Sequence, residues 1–382
     1  MRISPSQLLL ASAFLSNSVL ADRLEQRVSV PLTGAYDSNP QMVAGGQGAY
    51  VARLAPQYTL TNIGDADEFA LSLGAMIARS SNQTVLQDQN DPNASLGWKH
   101  LTPTSEFNLN ALYRQESARQ AEFIQSGLVV PDTTRTTKGV VAGWTSQLTE
   151  RLNYTLGADY STISYDDTPS LTRLIDYDTY GGRFSLAYEI TPRDEVYWLS
   201  NGSRYEPNVS GLGSGTNLAS DSTAYGSMLG YKQKVSDAID WDIRAGWLTI
   251  TGPDADSTWQ GNLRVNYTGE QSRLGFDVGR LANPTGTAGG FLLSNQVRAV
   301  YSYDLSERTT VGFDGSWIKN DEAPFNPATT AKIVGVSGSH ELNQFWSLRL
   351  VAQRRYSDYD NVRSSATGNL ISLSLIYTHP DF

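Results

Sequence analysis

One feature restricts this chain more than any other: apolar and polar residues alternate at period two, run after run, from about residue 27 to the end. Phe69, Leu71, Leu73, Ala75 and Ile77 share one parity, and Ala70, Ser72, Gly74, Met76 and Ala78 the other. Phe107, Leu109, Ala111 and Tyr113 oppose Asn108, Asn110, Leu112 and Arg114. Ile239, Trp241, Ile243, Ala245 and Trp247 oppose Asp240, Asp242, Arg244 and Gly246, and Trp346, Leu348, Leu350 and Ala352 oppose Ser347, Arg349, Val351 and Gln353. In an extended chain successive side chains point to opposite faces, so each run is a strand with one apolar and one polar side. No stretch sustains a helical period.

Two architectures share this pattern. A soluble β-protein turns its apolar faces inward, whereas a membrane barrel turns them outward to lipid and lines its interior with polar groups. Three features favour the barrel. The runs reach the length a tilted strand needs to cross a bilayer. The polar faces mix Gly, Ser, Asn, Arg and Asp, as a wet lumen would. The apolar runs often end in Tyr or Trp, residues suited to the membrane interfaces. Composition closes other routes. With no Cys there is neither a disulfide framework nor a thiolate metal site. The 20 Tyr and 8 Trp are too many for a disordered chain. A net charge of −10 argues against nucleic acid.

The turns count the strands. Short polar turns fall at 61–65, 102–106, 148–153, 190–194, 235–238, 268–272, 305–308 and 341–344. Between them lie longer Gly-, Asp-, Asn-, Ser- and Pro-rich segments at 80–94, 118–136, 165–176, 205–221, 281–289 and 320–329. Short turns on one side and long loops on the other are the sidedness of bacterial outer-membrane barrels. Eight turns separate nine up-down pairs, which predicts about 18 strands. The expected fold is all-β: a single-chain, up-and-down antiparallel transmembrane barrel.

The ends fit export. Arg2 and the apolar stretch Leu8 to Leu20, closing on Val19-Leu20-Ala21, read as a secretory signal over residues 1–21, leaving 22–382 as the barrel domain. The C-terminal Phe382 reads as an insertion signal for the barrel-assembly machinery. Its parity differs from that of Tyr377, and Pro380 intervenes, so a break is expected near 379–381.

No catalytic constellation emerges. The three His, His100, His340 and His379, fall near the short-turn ends of strands, and no metal or cofactor is expected. Gly211 to Gly215 lacks the helix a phosphate loop needs. The acids at 88–91 and 254–256 lack calcium-loop spacing and read as solvated loop residues. The informative charges are those that parity turns inward: Arg114, Arg244, Arg264, Arg298, Arg349 and Arg355, with Asp159, Asp240, Asp242, Asp277 and Asp314. They can pair across neighbouring strands to stiffen the wall, or form a constriction that selects solutes by charge, or both. Inward aromatics are few by the same parity, so no sugar-stacking ladder is expected.

The segment Gly34-Ala35-Tyr36-Asp37-Ser38-Asn39-Pro40 resembles the Tyr-Asp-x-Asn opening of outer-membrane β-barrels found with exopolysaccharide secretion and exosortase systems, a group of barrel porins. The resemblance implies an exit pore for a secreted polysaccharide, working with periplasmic export components among lipid and lipopolysaccharide. It marks Tyr36, Asp37 and Asn39, with an Asx-type role in shaping the first loop. Export of an exopolysaccharide through a polar lumen is therefore the first expectation. A general or solute-specific diffusion porin is the alternative, and a non-conducting structural or adhesin barrel a third. Against the diffusion porin stands loop length: porins carry a long folded-in constriction loop, and no loop here clearly exceeds about 20 residues.

Overall fold

The computed structural model describes residues 23–166, 174–208, 220–252, 255–287, 290–322, 327–359 and 363–379. Residues 1–21 and Phe382 lie outside that set. The strand segments are β1 (Arg23–Asp37), β2 (Ala49–Leu54), β3 (Gln57–Ile63), β4 (Asp67–Ser80), β5 (Gln89–Leu101), β6 (Ser105–Ser117), β7 (Thr134–Thr149), β8 (Leu152–Tyr165), β9 (Tyr177–Thr191) and β10 (Asp194–Pro207). They continue with β11 (Ser222–Lys234), β12 (Ile239–Thr251), β13 (Asp256–Thr268), β14 (Ser272–Thr285), β15 (Gly290–Ser306), β16 (Thr309–Asn320), β17 (Thr329–Glu341), β18 (Trp346–Tyr359) and β19 (Arg363–His379). A helix, α1 (Ala118–Ser126), interrupts the series.

All segments belong to one antiparallel sheet that closes on itself. β1 pairs with β19 from Val28 opposite His379 to Asp37 opposite Leu370, so no edge is left for another chain. Closure also satisfies the backbone in lipid, where water cannot do so. β2 and β3 are halves of one membrane-crossing strand, since both pair with β1 and with β4. The gap is Ala55-Pro56, which faces Val30-Pro31 of β1. Neither proline has an N–H to give, so the ladder lapses there without a shift of register. Nineteen segments thus make 18 strands, the number expected from the turns.

The faces sort as a membrane barrel requires. Leu229 is 72% exposed, Trp247 58% and Leu350 52%, and many further large apolar side chains of the same outward parity are open. On a soluble protein so much apolar surface would drive aggregation; against lipid it is the stabilising surface. Aromatic neighbours such as Tyr36 and Tyr50 (4.8 Å), Tyr160 and Tyr180 (5.1 Å) and Trp346 and Tyr377 (5.1 Å) sit toward the two rims. All eight short turns lie at one rim, as do His100, His340 and the end of β19 at His379.

Two segments depart from the up-and-down pattern. Residues 118–133 fold into the lumen, led by α1, although no helical period was expected there. The tip of the β14–β15 hairpin also turns inward. β14 pairs with β13 only as far as Arg280, opposite Gly261, and β15 pairs with β16 only from Ser294. Beyond those points the hairpin leaves the wall and reaches β10 and β11 across the lumen.

Candidate functional site

The site is built on α1. Ser117 caps its first turn, its hydroxyl accepting from the Gln120 amide (3.4 Å) while donating to Asp132 (3.1 Å). The helix stops at Gly127, whose φ of 73° is left-handed and suits glycine. A second reason for glycine is proximity: a Cβ there would lie 2.7 Å from that of Ala331 on β17. The C-terminal end is fastened to the wall opposite its origin. Asn320 on β16 donates to the Ser126 carbonyl (2.6 Å), and the Tyr359 hydroxyl on β18 accepts from the Val129 amide (2.6 Å). Phe123 packs with Met42 and Ala331. The other side of the helix is held by buried Glu122, which accepts from the Tyr165 hydroxyl (2.7 Å) and lies 3.6 Å from Arg135. The segment therefore starts at β6, ends at β7 and docks on β16–β18, about half the circumference away. It is a beam across the lumen.

Along one side of the beam runs a cavity of about 1120 Å³. Its wall comes from α1, the first loops, β1, β2 and β13–β19; β7–β12 contribute nothing to it. It extends from Asp37, Met42 and Gln89 at the long-loop rim toward Thr310, Ser339 and Ser347 near the short turns. Its charged lining is Arg53, Arg119, Arg264, Arg298, Arg349 and Arg355 against Asp37, Asp277 and Asp314, a surplus of three positive charges.

These arginines fall into two kinds. Arg264 is tied to Asp277 (3.1 Å), which also accepts from Asn262 (3.0 Å). Arg355, itself partly buried, is tied to buried Asp37. Such pairs stiffen the wall. Arg298 and Arg349 have no carboxylate within ion-pair distance among the described residues, and both are exposed to the lumen. Arg119 is intermediate. Its guanidinium bonds the carbonyls of Val130 and Val85 (both 3.1 Å) and lies 4.0 Å from Asp132. Burial pushes its pKa down, and Asp132 pulls it back up. Arg119 also borders a second cavity of about 840 Å³ among the outer loops, lined by Gln83, Asp132 and Asp166. It stands where the outer vestibule meets the inner passage.

The structure thus gathers Arg264, Asp277, Arg298, Asp314, Arg349 and Arg355 on one cavity. Arg114 and Arg244 face the lumen but not this cavity; Arg114 lies 3.7 Å from Glu116. Of the opening motif, Tyr36 faces lipid against Tyr50. Asp37 accepts from the Asn39 amide (3.1 Å), the Asx geometry anticipated from sequence, and Asn39 clamps the loop through the carbonyls of Val43 (2.7 Å) and Thr367 (3.0 Å). Asp37 does more than shape a loop, since it anchors Arg355 across the strand seam. Arg53 and Arg119 escaped the sequence reading. Arg53 sits in a short Ala-rich run broken by Pro56, where alternation is weak, and Arg119 rides on an unforeseen helix.

Two expectations are corrected. A folded-in constriction segment does exist. Residues 118–133 suffice because α1, though it advances only about 1.5 Å per residue, is about 10 Å thick with its side chains, and its far end is bolted to the opposite wall. Inward aromatics are also not scarce. Tyr177, Tyr205 and Phe291 form the centre of a buried cluster with Ile163, Ala224, Leu248 and Ile250. Tyr205 meets Tyr177 at 4.8 Å and Phe291 at 6.4 Å. Phe291 and Leu293 carry outward parity, but the hairpin tip curls over, so their outer face meets the inner face of β8–β12. The cluster is a filling, not a sugar ladder. Among the described residues no three metal-ligating side chains gather. His100 pairs with Asp67 (2.8 Å) and His340 with the Thr309 hydroxyl (2.9 Å).

A closed lipid-facing barrel with a charged inner passage is the geometry of a porin, and the comparisons agree. The family described as "Putative beta-barrel porin 2" matches residues 27–257. The chain belongs to that family. Porins of this kind are not enzymes, and the protein is an outer-membrane β-barrel porin. Among solved structures, OccK5 (OpdH) of Pseudomonas aeruginosa is similar with a TM-score of 0.52 at 10% identity, covering 96% of this chain and all of that one. OccK1 (OpdK) of the same organism gives 0.52 at 9%, over 95% of this chain and all of that one. OccAB4 of Acinetobacter baumannii gives 0.50 at 12%, over 95% and 100%. At such identities these likenesses concern the barrel fold alone. No curated protein matches the chain.

Proposed function

We propose that this porin is a diffusion channel for small anionic solutes, which pass beside α1 along the inner face of β13–β19. The observation that carries the reading is the surplus of three positive charges around the inner cavity of a chain whose net charge is −10. Two of those cations, Arg298 and Arg349, have no carboxylate partner among the described residues. In a narrow, partly desolvated passage such groups attract counter-ions and raise their local concentration. Between the charges the wall offers Ser, Thr, Asn, Gln and Gly, which let a solute trade water for wall hydrogen bonds at small net cost, while α1 adds apolar side chains such as Phe123 and Ile124.

The beam across the lumen weighs against a polysaccharide exit. A polymer needs an uninterrupted bore, and α1 with the inturned hairpin divides this one. The secretion signal at 1–21 and the role of Phe382 in barrel insertion complete the proposal. The test is single-channel recording of the refolded barrel in planar bilayers under a potassium chloride gradient. The expected result is discrete conductance steps with a reversal potential on the chloride side. Cation preference would overturn the solute class, and a silent barrel would overturn the channel.

A further inference from the structure

We propose that the lipid-facing side of β16–β18, at its long-loop end, binds the phosphorylated headgroup of an outer-leaflet glycolipid. Lys319, Lys332 and Arg354 share the parity of Phe313, Val334 and Leu350, which are exposed on the lipid side. They point into the bilayer interface and not into the lumen. The register sets Lys332 directly between Trp317 and Tyr356. Lys319 and Arg354 are its diagonal neighbours on either side, at about 7–8 Å. All three lie within a few residues of the long-loop ends of their strands, on the side that faces out of the cell.

What singles out this patch is its lack of counter-charge. Among the other outward cations at the same rim, Arg79 has Asp88 (3.8 Å), Arg204 has Asp221 (2.8 Å) and Arg280 has Asp321 (2.6 Å), while Lys138 on β7, without an ion pair among the described residues, is a single charge and not a cluster. Lys319, Lys332 and Arg354 have none among the described residues, and all three are exposed. Among the described residues, the one polar attachment in the group is Lys332 over the Tyr356 ring at 5.3 Å. One carboxylate shares the face, Asp358, opposite Thr330. Three cations against one anion, on a chain that is acidic overall, need an external partner where lipid replaces water. A phosphorylated headgroup supplies charge-assisted bonds to the ammonium groups and a fork-shaped fit to Arg354. Trp317 and Tyr356 flank it at the level where sugar gives way to acyl chain.

The experiment is native mass spectrometry of the detergent-solubilised, folded full-length chain, titrated with diphosphorylated lipid A and with its dephosphorylated counterpart. The expected result is one retained diphosphorylated lipid, bound at least tenfold more tightly than the dephosphorylated one. K319Q/K332Q/R354Q should lower that affinity at least tenfold, K332R/R354K should keep it, and K138Q, an outward cation on β7, should leave it unchanged. Heat-modifiable migration reports folding. If the triple variant does not fold, K332Q and R354Q singly should each weaken binding about threefold. Equal binding by the wild type and the neutralised variants, or indifference to the phosphates, would overturn the proposal. So would lipid-free dimers of the wild type that the neutralised variants abolish, because the patch would then meet a second copy of the chain.

Discussion

The two halves of the lumen wall are built from the same kind of strand and end differently. Along β13–β19 the inner face carries arginine, aspartate and small polar residues, and a passage stays open. Along β8–β12, at the same long-loop rim, the inner face carries Ile163, Tyr177, Tyr205, Leu248 and Ile250, and the β14–β15 tip seals it with Phe291. Tyr177 is 1% exposed and Tyr205 0%, as in the core of a soluble domain. An 18-stranded wall is wide enough to need furnishing. Such a barrel left bare encloses a broad aqueous channel. This one fills one half with an aromatic core and suspends α1 across the middle, so that the remaining path is narrow enough for single arginines to matter.

Removing the beam should have the largest effect. Ser117 and Thr134 face each other in the β6–β7 ladder, so residues 118–133 can be replaced by Asn-Gly, a two-residue hairpin loop. The barrel should still fold, because its ladder hydrogen bonds are untouched. Single-channel conductance should rise several-fold and ion preference should weaken. Unchanged conductance would mean that α1 does not set the width.

Next in size is Arg298→Ala with Arg349→Ala. Both side chains are exposed to the passage and lack an ion pair among the described residues, so stability should move by less than about 0.5 kcal/mol. The chloride-to-potassium permeability ratio should fall toward one with conductance largely kept. The matching change on the paired side, Arg264→Ala, should move the ratio less, because Asp277 already offsets that charge at 3.1 Å. Equal effects from the two would erase the distinction between wall-stiffening and solute-facing arginines.

Phe291→Ala probes the filled half. The ring is 4% exposed. Its loss should cost about 3–5 kcal/mol in the docking of the hairpin tip, the range for deleting a buried aromatic. The expected readout is faster proteolysis near Thr285 and Thr287 and noisier current, with the permeability ratio unchanged. A shift in selectivity would show that the aromatic half borders the solute path after all.

The barrel itself was legible because its physics is local. Lipid outside and water inside impose period two on every strand, and the turns count them. The inward charges on β13–β18 followed from the same parity. The furnishing was not legible, for three separate reasons. Residues 118–126 form a helix too short and too polar to show a period, and it is held by contacts with Asn320 and Tyr359, some 200 positions away. Phe291 and Leu293 break parity because the hairpin leaves the wall. Asp37 was visible as a motif, but its bond to Arg355 spans 318 positions, across the seam where the barrel closes.

The smallest effect should come from Asn320→Ala. Asn320 is 1% exposed and donates both to Ser126 on the far end of α1 and to Thr329 beside it, each at 2.6 Å. Losing two buried hydrogen bonds would ordinarily cost about 1–3 kcal/mol. Here the buried side-chain Oδ1 has no partner among the described residues, so the substitution also removes an unsatisfied acceptor. The Val129–Tyr359 bond and the Phe123–Met42 contact remain as well. The net loss should be about 1 kcal/mol, which multiplies the undocked population of α1 by about five. Current recordings should then show brief excursions to a larger conductance, at the level set by the variant lacking 118–133. Excursions to a smaller conductance would mean that an undocked α1 blocks the passage instead of widening it, and the wall of β16–β18 would then be the brace that keeps the channel open.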